Sequence, residues 1–359
     1  MTPEDRAWEV VRRAFEEREP QPRRPARARL AAAVAAGALA LVLVAALSPP
    51  GHAVFERVRR AVGVEHAATA LFSLPGGGRL LVVGDGEAIL VEPDGAQRRL
   101  GAYTDAQWSP HGLFVVATRP GALVALTPTG TVRWTLARRD PHSPRWEGTR
   151  TDTRIAYATG DALRVVAGDG TGDHLVDAHG GSVPAAWDPA RLHTLAYVSR
   201  GDVVLRTAAG KLIWKRRVPA SALSWSSDGR YLAALSSGRV VVLAGRNGHV
   251  DRSVSMLGAR VTAAAFAPGS HRLAVSVTHG GRSELHVVDL DRPGHGRLVL
   301  AGPGRFGDLA WSPHGAWLLV AWPAADQWVF LHGSTAHAVG NIRAQFPDAE
   351  VAGRWCCEG

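Results

Sequence analysis

The hydropathy of the chain falls into two regimes. Leu30 to Leu47 reads LAAAVAAGALALVLVAAL, 18 residues without a charged or polar side chain. At 1.5 Å per residue, a helix of this length reaches about 27 Å, close to the hydrocarbon thickness of a bilayer. Ser48-Pro49-Pro50-Gly51 follows it; proline lacks the amide hydrogen that a helix interior needs. The pattern predicts one transmembrane helix over 30–47. From residue 67 onward the pattern changes. Short Val, Leu and Ala runs alternate with turns rich in Gly, Pro and Asp, which is how strands and hairpins are written.

The strand pattern repeats. Each unit opens with a strand that ends in an aromatic, followed by a tight turn and a second apolar strand. The clearest copies are Trp108-Ser109-Pro110-His111-Gly112, Trp225-Ser226-Ser227-Asp228-Gly229 and Trp311-Ser312-Pro313-His314-Gly315. Less regular copies start at Phe72, Trp146, Trp187 and Phe266. Successive aromatics are separated by 36, 38, 41, 38, 41 and 45 residues. A third apolar strand is legible in every unit, such as Ala122 to Leu126 and Val240 to Leu243. A more polar fourth, such as Thr131 to Leu136 and Lys211 to Arg217, suits an outer edge. Four strands in each of seven units predict an all-β fold, a seven-bladed β-propeller over 67–340. Residues 341–359 are left as a C-terminal tail. A linear solenoid would need capping ends, and the sequence shows none. Each aromatic is expected to wedge between blades, a burial worth about 2–3 kcal/mol.

The W-S-P-x-G units resemble the repeats of TolB-like and WD-repeat-like bacterial propellers, over roughly 67–340. The resemblance implies the architecture and leaves the ligand open. His111 and His314 stand where that pattern usually has Asp. Two fourth strands, Thr129 to Trp134 and Ala209 to Trp214, also resemble the G-x-x-x-W strand of quinoprotein propellers. That likeness implies a quinone-dependent dehydrogenase as a competing reading, but no cofactor-binding set can be mapped onto the chain.

Charge sets the expected topology. The chain carries 41 Lys and Arg against 32 Asp and Glu, a net charge of +9. Arg23, Arg24, Arg27 and Arg29 abut the N-terminal end of the apolar helix, whereas the first basic residue beyond it is Arg57. The positive-inside rule then puts the N-terminus in the cytoplasm of a bacterium and everything after the helix outside its plasma membrane. A signal peptide cleaved after Ala46 is the alternative; the 29-residue leading region with its six acids argues against it. Within residues 1–29, Trp8, Val11 and Phe15 share one helical face, a candidate cytoplasmic partner surface. Residues 48–66 form a juxtamembrane stalk.

Little chemistry is visible. There is no G-x-S-x-G nucleophile turn and no Cys/His spacing of a metal site. The arginines are not interleaved with aromatics as a nucleic-acid surface would require. Asp169, Asp173 and Asp177 lack the ligand count and terminal Glu of a calcium loop and read as a solvated turn, as do most of the 15 histidines. Cys356 and Cys357, the only cysteines, are expected to form a vicinal disulfide or a thiol pair that packs Val351 to Trp355 onto the propeller. The expected function is non-enzymatic: a binding or scaffold module with no cofactor, inserted in the bilayer through 30–47 and facing an extracytoplasmic protein or polymer. The alternative is transmembrane signalling through the Trp8/Val11/Phe15 face, a layout similar to membrane-bound anti-sigma factors.

Overall fold

A computed structural model describes residues 71, 73–255, 258–292, 296–351 and 354–357. The apolar helix at Leu30–Leu47, the Trp8/Val11/Phe15 face and Phe72 lie outside the described residues. Among the described residues no helix is long and apolar enough to cross a membrane.

Seven four-stranded antiparallel sheets make up the fold. We name the strands of each blade a to d from the central channel outward. Blades 2 to 7 each take four consecutive strands, with innermost strands Asp105–Trp108, Pro141–Gly148, Ala186–Trp187, Ala222–Trp225, Arg260–Phe266 and Leu309–Trp311. The irregular units at Trp146 and Trp187 are therefore complete blades. The b–c turns and d–a connections form one face of the ring, here the upper face. The a–b and c–d turns form the lower face.

Strands b and c are buried on both sides because a neighbouring blade covers each. Leu80, Leu81, Val82 and Val83 are all 3% exposed or less, so these strands read as unbroken apolar runs rather than alternating ones. Most d strands face solvent, and Val132–Ala137 and Val250–Val254 have no fully buried residue, whereas Arg297–Pro303 of blade 6 buries Val299 to Gly302. Most b–c turns are two residues long with positive φ at both, as at Arg200-Gly201 (53° and 81°) and Ser237-Gly238 (48° and 78°). This geometry matches the twist of a tight hairpin.

Blade 1 departs from the sequence reading. Its innermost strand is Trp355–Cys356, which pairs antiparallel with Arg79–Gly84. The segment expected to be a tail after residue 340 thus completes the first sheet, and Trp355 takes the position assigned to Phe72. Backbone bonds extend the pairing upward: Val83 N–H to Glu350 O (3.2 Å), Glu350 N–H to Val83 O (2.7 Å) and Leu81 N–H to Arg354 O (3.0 Å). Both neighbouring blades hold this strand. The Asp308 carboxylate of blade 7 accepts the Val351 N–H at 2.8 Å. On the other side Arg354, 5% exposed, donates to Asp105 Oδ1 (2.7 Å) and Ala106 O (3.0 Å) of blade 2. Cys356 and Cys357 are paired side by side where this strand ends. Gly112, at φ 65°, lies so close that a Cβ there would meet the Cys357 Cβ at 2.9 Å.

The motif tryptophans staple blades more than they wedge them. Trp108 and Trp355 are buried, but Trp146, Trp187, Trp225 and Trp311 are only half-buried. Four of the motif indole N–H groups donate across a seam: Trp108 to Arg354 O (3.0 Å), Trp187 to Arg145 O (2.9 Å), Trp225 to Ala186 O (3.0 Å) and Trp311 to Ala265 O (3.1 Å). Each acceptor directly precedes the aromatic of the blade before. Each staple is worth about 1 kcal/mol net.

Two turn histidines also bridge blades, contrary to the expectation that they are solvated. His193 Nδ1 meets Glu147 Oε1 at 2.5 Å and its Nε2 meets Asp152 Oδ2 at 2.9 Å. His271 lies between Asp228 (2.9 Å) and Asp291 (2.7 Å). Burial disfavours the charged rings, but bonds to two carboxylates outweigh it and raise both pKa values.

Two outcomes follow from these contacts. Arg354→Met should lower the unfolding free energy by about 3 kcal/mol, because it removes the buried guanidinium's bonds to Ala106 O and to the part-buried Asp105 carboxylate, which is left without its ion-pair partner; Arg98→Met, on the exposed outer strand, should change it by about 0.5 kcal/mol or less. Denaturant titration compares the two. The histidine bridges contribute stability fully below the unfolded pKa of about 6.5. They lose it as pH rises through the higher folded values, so the melting temperature should fall from about pH 6 to about pH 8. The His193→Gln/His271→Gln double variant should show a flatter profile by calorimetry.

Candidate functional site

The seam between blades 2 and 3 is packed differently along its height. Near its outer, upper end it is pinned by Asp173. The Tyr157 hydroxyl donates to Asp173 Oδ1 at 2.6 Å, Arg164 donates to Oδ2 at 2.5 Å, and Arg138 of blade 2 reaches the same oxygen. Burial raises the Asp173 pKa, but the bonds from Arg164, Tyr157 and Arg138 prevail and hold it low. Burial and Asp173 together push the Tyr157 hydroxyl up to about 12, so it remains a proton donor. Asp173 is thus a buried ionic anchor rather than a solvated turn residue.

The three acids of GDGTGDHLVD do not converge. Asp169 caps its own turn by accepting Thr171 N–H (2.9 Å) and Thr171 Oγ1 (2.7 Å). Asp177 accepts Tyr197 Oη at 3.1 Å and Ser199 Oγ at 3.3 Å in blade 4. Among the described residues no group of three or more His, Cys, Asp or Glu is placed to hold a metal ion.

At the lower face the same seam opens into a cleft of about 440 Å³. Its floor is aromatic. Phe114 and Trp146 stack with ring centroids 6.1 Å apart at 16°. Trp134 closes one wall, held by its indole N–H donating to Gly168 O at 2.9 Å. Gly170 sits at φ 88°, and a Cβ there would meet the Trp134 ring at 2.9 Å; only glycine lets this turn close over the indole. Trp146 itself makes no staple. Its buried indole nitrogen has no hydrogen-bond partner among the described residues. Its strand carries a register shift between His142 and Arg145, and the ring stands against Phe114 instead.

The rim mixes charge and apolar surface. Leu113 is 50% exposed, and Arg133 and Arg150 are exposed at the mouth. Asp169 provides one fixed negative charge, its pKa lowered by the Thr171 hydrogen bonds. A site with an apolar floor, two guanidinium groups and one carboxylate can hold a ligand that is planar or apolar at one end and polar at the other. The repeat pattern singled out Trp146 and Trp134 but passed over Leu113, Phe114, Arg133 and Arg150. The signal available was the degenerate unit at Trp146, where Gly148-Thr149-Arg150-Thr151-Asp152 replaces the compact Ser-Pro-x-Gly turn.

No family model matches the sequence, and no curated protein matches it. Solved structures do. The C-terminal WD40 domain of Sif2 is 15% identical, with a TM-score of 0.55, covering 74% of this chain and 81% of that one. Kluyveromyces lactis Hsv2 is 14% identical at a TM-score of 0.54, covering 71% and 89%. The β-propeller domain of Myceliophteria thermophila Cps50 (Swd1) is 14% identical at 0.51, covering 66% and 84%. At these identities the likeness is one of fold alone, and the fold is a WD40-like seven-bladed β-propeller.

Proposed function

We propose that the protein is a non-catalytic binding module, a propeller held outside a bacterial plasma membrane by the apolar helix at Leu30–Leu47. The observation that carries the binding role is the lower-face cleft. It is open, its floor is aromatic, and it lies at a seam where the repeat pattern is broken. Exposed apolar surface such as Leu113 beside a cleft marks interaction sites more often than plain surface. The neighbouring groups serve recognition: Phe114, Trp134 and Trp146 offer stacking area, and Arg133 and Arg150 offer charge-assisted hydrogen bonds. The membrane placement is supported by the uninterrupted apolar stretch and by the arginines at 23–29.

Replacing Leu113 by a photo-crosslinking residue in cells should capture a partner at the cleft. The Phe114→Ala/Arg150→Gln variant should reduce capture about tenfold or more, as loss of an aromatic anchor and a charged contact implies. Undiminished capture in a folded variant would remove the cleft from the proposal. For the anchor, an export-dependent reporter fused after Gly359 should be active; activity of a cytoplasm-dependent reporter there would reverse the topology.

A further inference from the structure

The upper face carries a second feature. Arg200, Arg217, Arg239, Arg260, Arg282 and Arg305 are all exposed and all stand on b–c turns or d–a connections of blades 4 to 6 or at the adjoining strand ends. Backbone bonds fix their spacing. Val261 N–H donates to Gly238 O at 2.7 Å, which sets Arg260 beside Arg239. Gly304 N–H donates to Gly281 O at 2.8 Å, which sets Arg305 beside Arg282. The acids of this sector are engaged elsewhere: Asp202 pairs with Lys215 at 2.7 Å and Glu284 with His286 at 2.9 Å. The ion pairs of the described residues use none of the six arginines. Across the same face, over blades 7 and 1, Asp85, Asp348 and Glu350 are exposed beside Arg343, and Glu350 pairs with Arg354 at 3.4 Å. Blades 4 to 6 therefore carry a positive sector of this face, whereas the charges over blades 7 and 1 largely offset one another. Like charges fixed side by side repel one another until an anion neutralises them.

Leu71 lies toward this face too. Its N–H donates to Gln345 Oε1 at 2.9 Å, and Gln345 ends the short upper-face helix Ile342–Gln345. From there the chain descends along the seam of blades 7 and 1, where Leu71 and Leu74 are buried.

We propose that the arginine crescent docks on the phosphate headgroups of an anionic lipid surface, so that the propeller lies upper face down with its cleft directed away from the bilayer. Guanidinium groups suit this partner because their planar fork binds phosphate oxygens in pairs. The sector over blades 7 and 1, where Arg343 and Arg354 largely offset the acids, gains little from the same surface, so the basic sector turns toward it. This inference rests on the membrane-anchored reading given above.

The test uses the full chain in liposomes of phosphatidylcholine, alone or mixed with phosphatidylglycerol. A fluorescent residue replaces Pro219 on the upper face or, in a second sample, Ala209 on the lower face. Energy transfer to headgroup-labelled lipid is then read. Transfer from position 219 should rise with phosphatidylglycerol and collapse in roughly 0.5 M salt, where screening is nearly complete. Transfer from position 209 should not rise. Arg239→Gln/Arg260→Gln/Arg282→Gln/Arg305→Gln should weaken docking tenfold or more, since each arginine is worth about fivefold near an anionic surface. Four lower-face changes, Arg98→Gln, Lys211→Gln, Arg246→Gln and Arg297→Gln, should leave it within about twofold. Equal transfer in both lipids, equal losses in both variants, or a rise at position 209 would overturn the docking. Incorporation into phosphatidylcholine alone scores the anchor separately. If it fails, phosphatidylglycerol-dependent co-flotation, lost only in the crescent variant, still scores the crescent.

Discussion

The closing strand is the contact on which the rest of the ring depends. A toroid of sheets buries every blade only if its first and last blades meet. Six of the seven sheets are local in sequence and could form from neighbouring segments. Blade 1 alone needs Trp355–Cys356, from the far end of the chain, as its innermost strand. That strand is held from three sides: by Arg79 and Leu80 within the sheet, by Asp308 of blade 7, and through Arg354 by Asp105 and Ala106 of blade 2. Polar groups serve here because hydrophobic burial is non-directional. A short terminal strand needs directional contacts to fix its register.

Once the ring is closed, seams between blades become the unit of description, and they are not equivalent. Most are stapled by an indole N–H, and two are bridged by a histidine between two carboxylates. The seam of blades 2 and 3 lacks the staple from its motif Trp146, is held by Trp134 on Gly168 O and by Asp173 near its upper, outer end, and opens at its lower end. The cavity lies beside Trp146, whose indole nitrogen has no partner among the described residues, and beside the Gly148-Thr149-Arg150-Thr151-Asp152 turn that departs from the repeat. A local departure from the repeat thus coincides with a concave surface, the form in which a repeat scaffold acquires an individual site. The two faces also differ. The lower face carries the cleft, and the upper face carries the arginines that form no ion pair among the described residues.

The architecture could be read from the chain because the physics of a blade is local. Spacing of the aromatics, apolar b and c strands and Gly-containing turns each report a short-range requirement, and together they specify four strands and seven units. Even the polar d strands were legible, because an outer strand meets water whichever blade it belongs to. The candidate site was only half legible. Trp134 and Trp146 stood out as aromatics in a repeat, whereas Leu113 and Arg150 acquire meaning only from the neighbouring blade.

What the sequence determined by itself, then, was the repeating unit, its number and the apolar stretch that precedes it. Those follow from periodicity and hydropathy, which are properties of neighbouring residues. The tertiary structure decided which residues meet across the ring. It replaced Phe72 with Trp355, took the last segment out of the tail and into blade 1, turned Asp173 and His193 from turn residues into bridges, and gathered six scattered arginines on one sector of one face. These pairings join segments tens to hundreds of residues apart, and no local pattern encodes such distances.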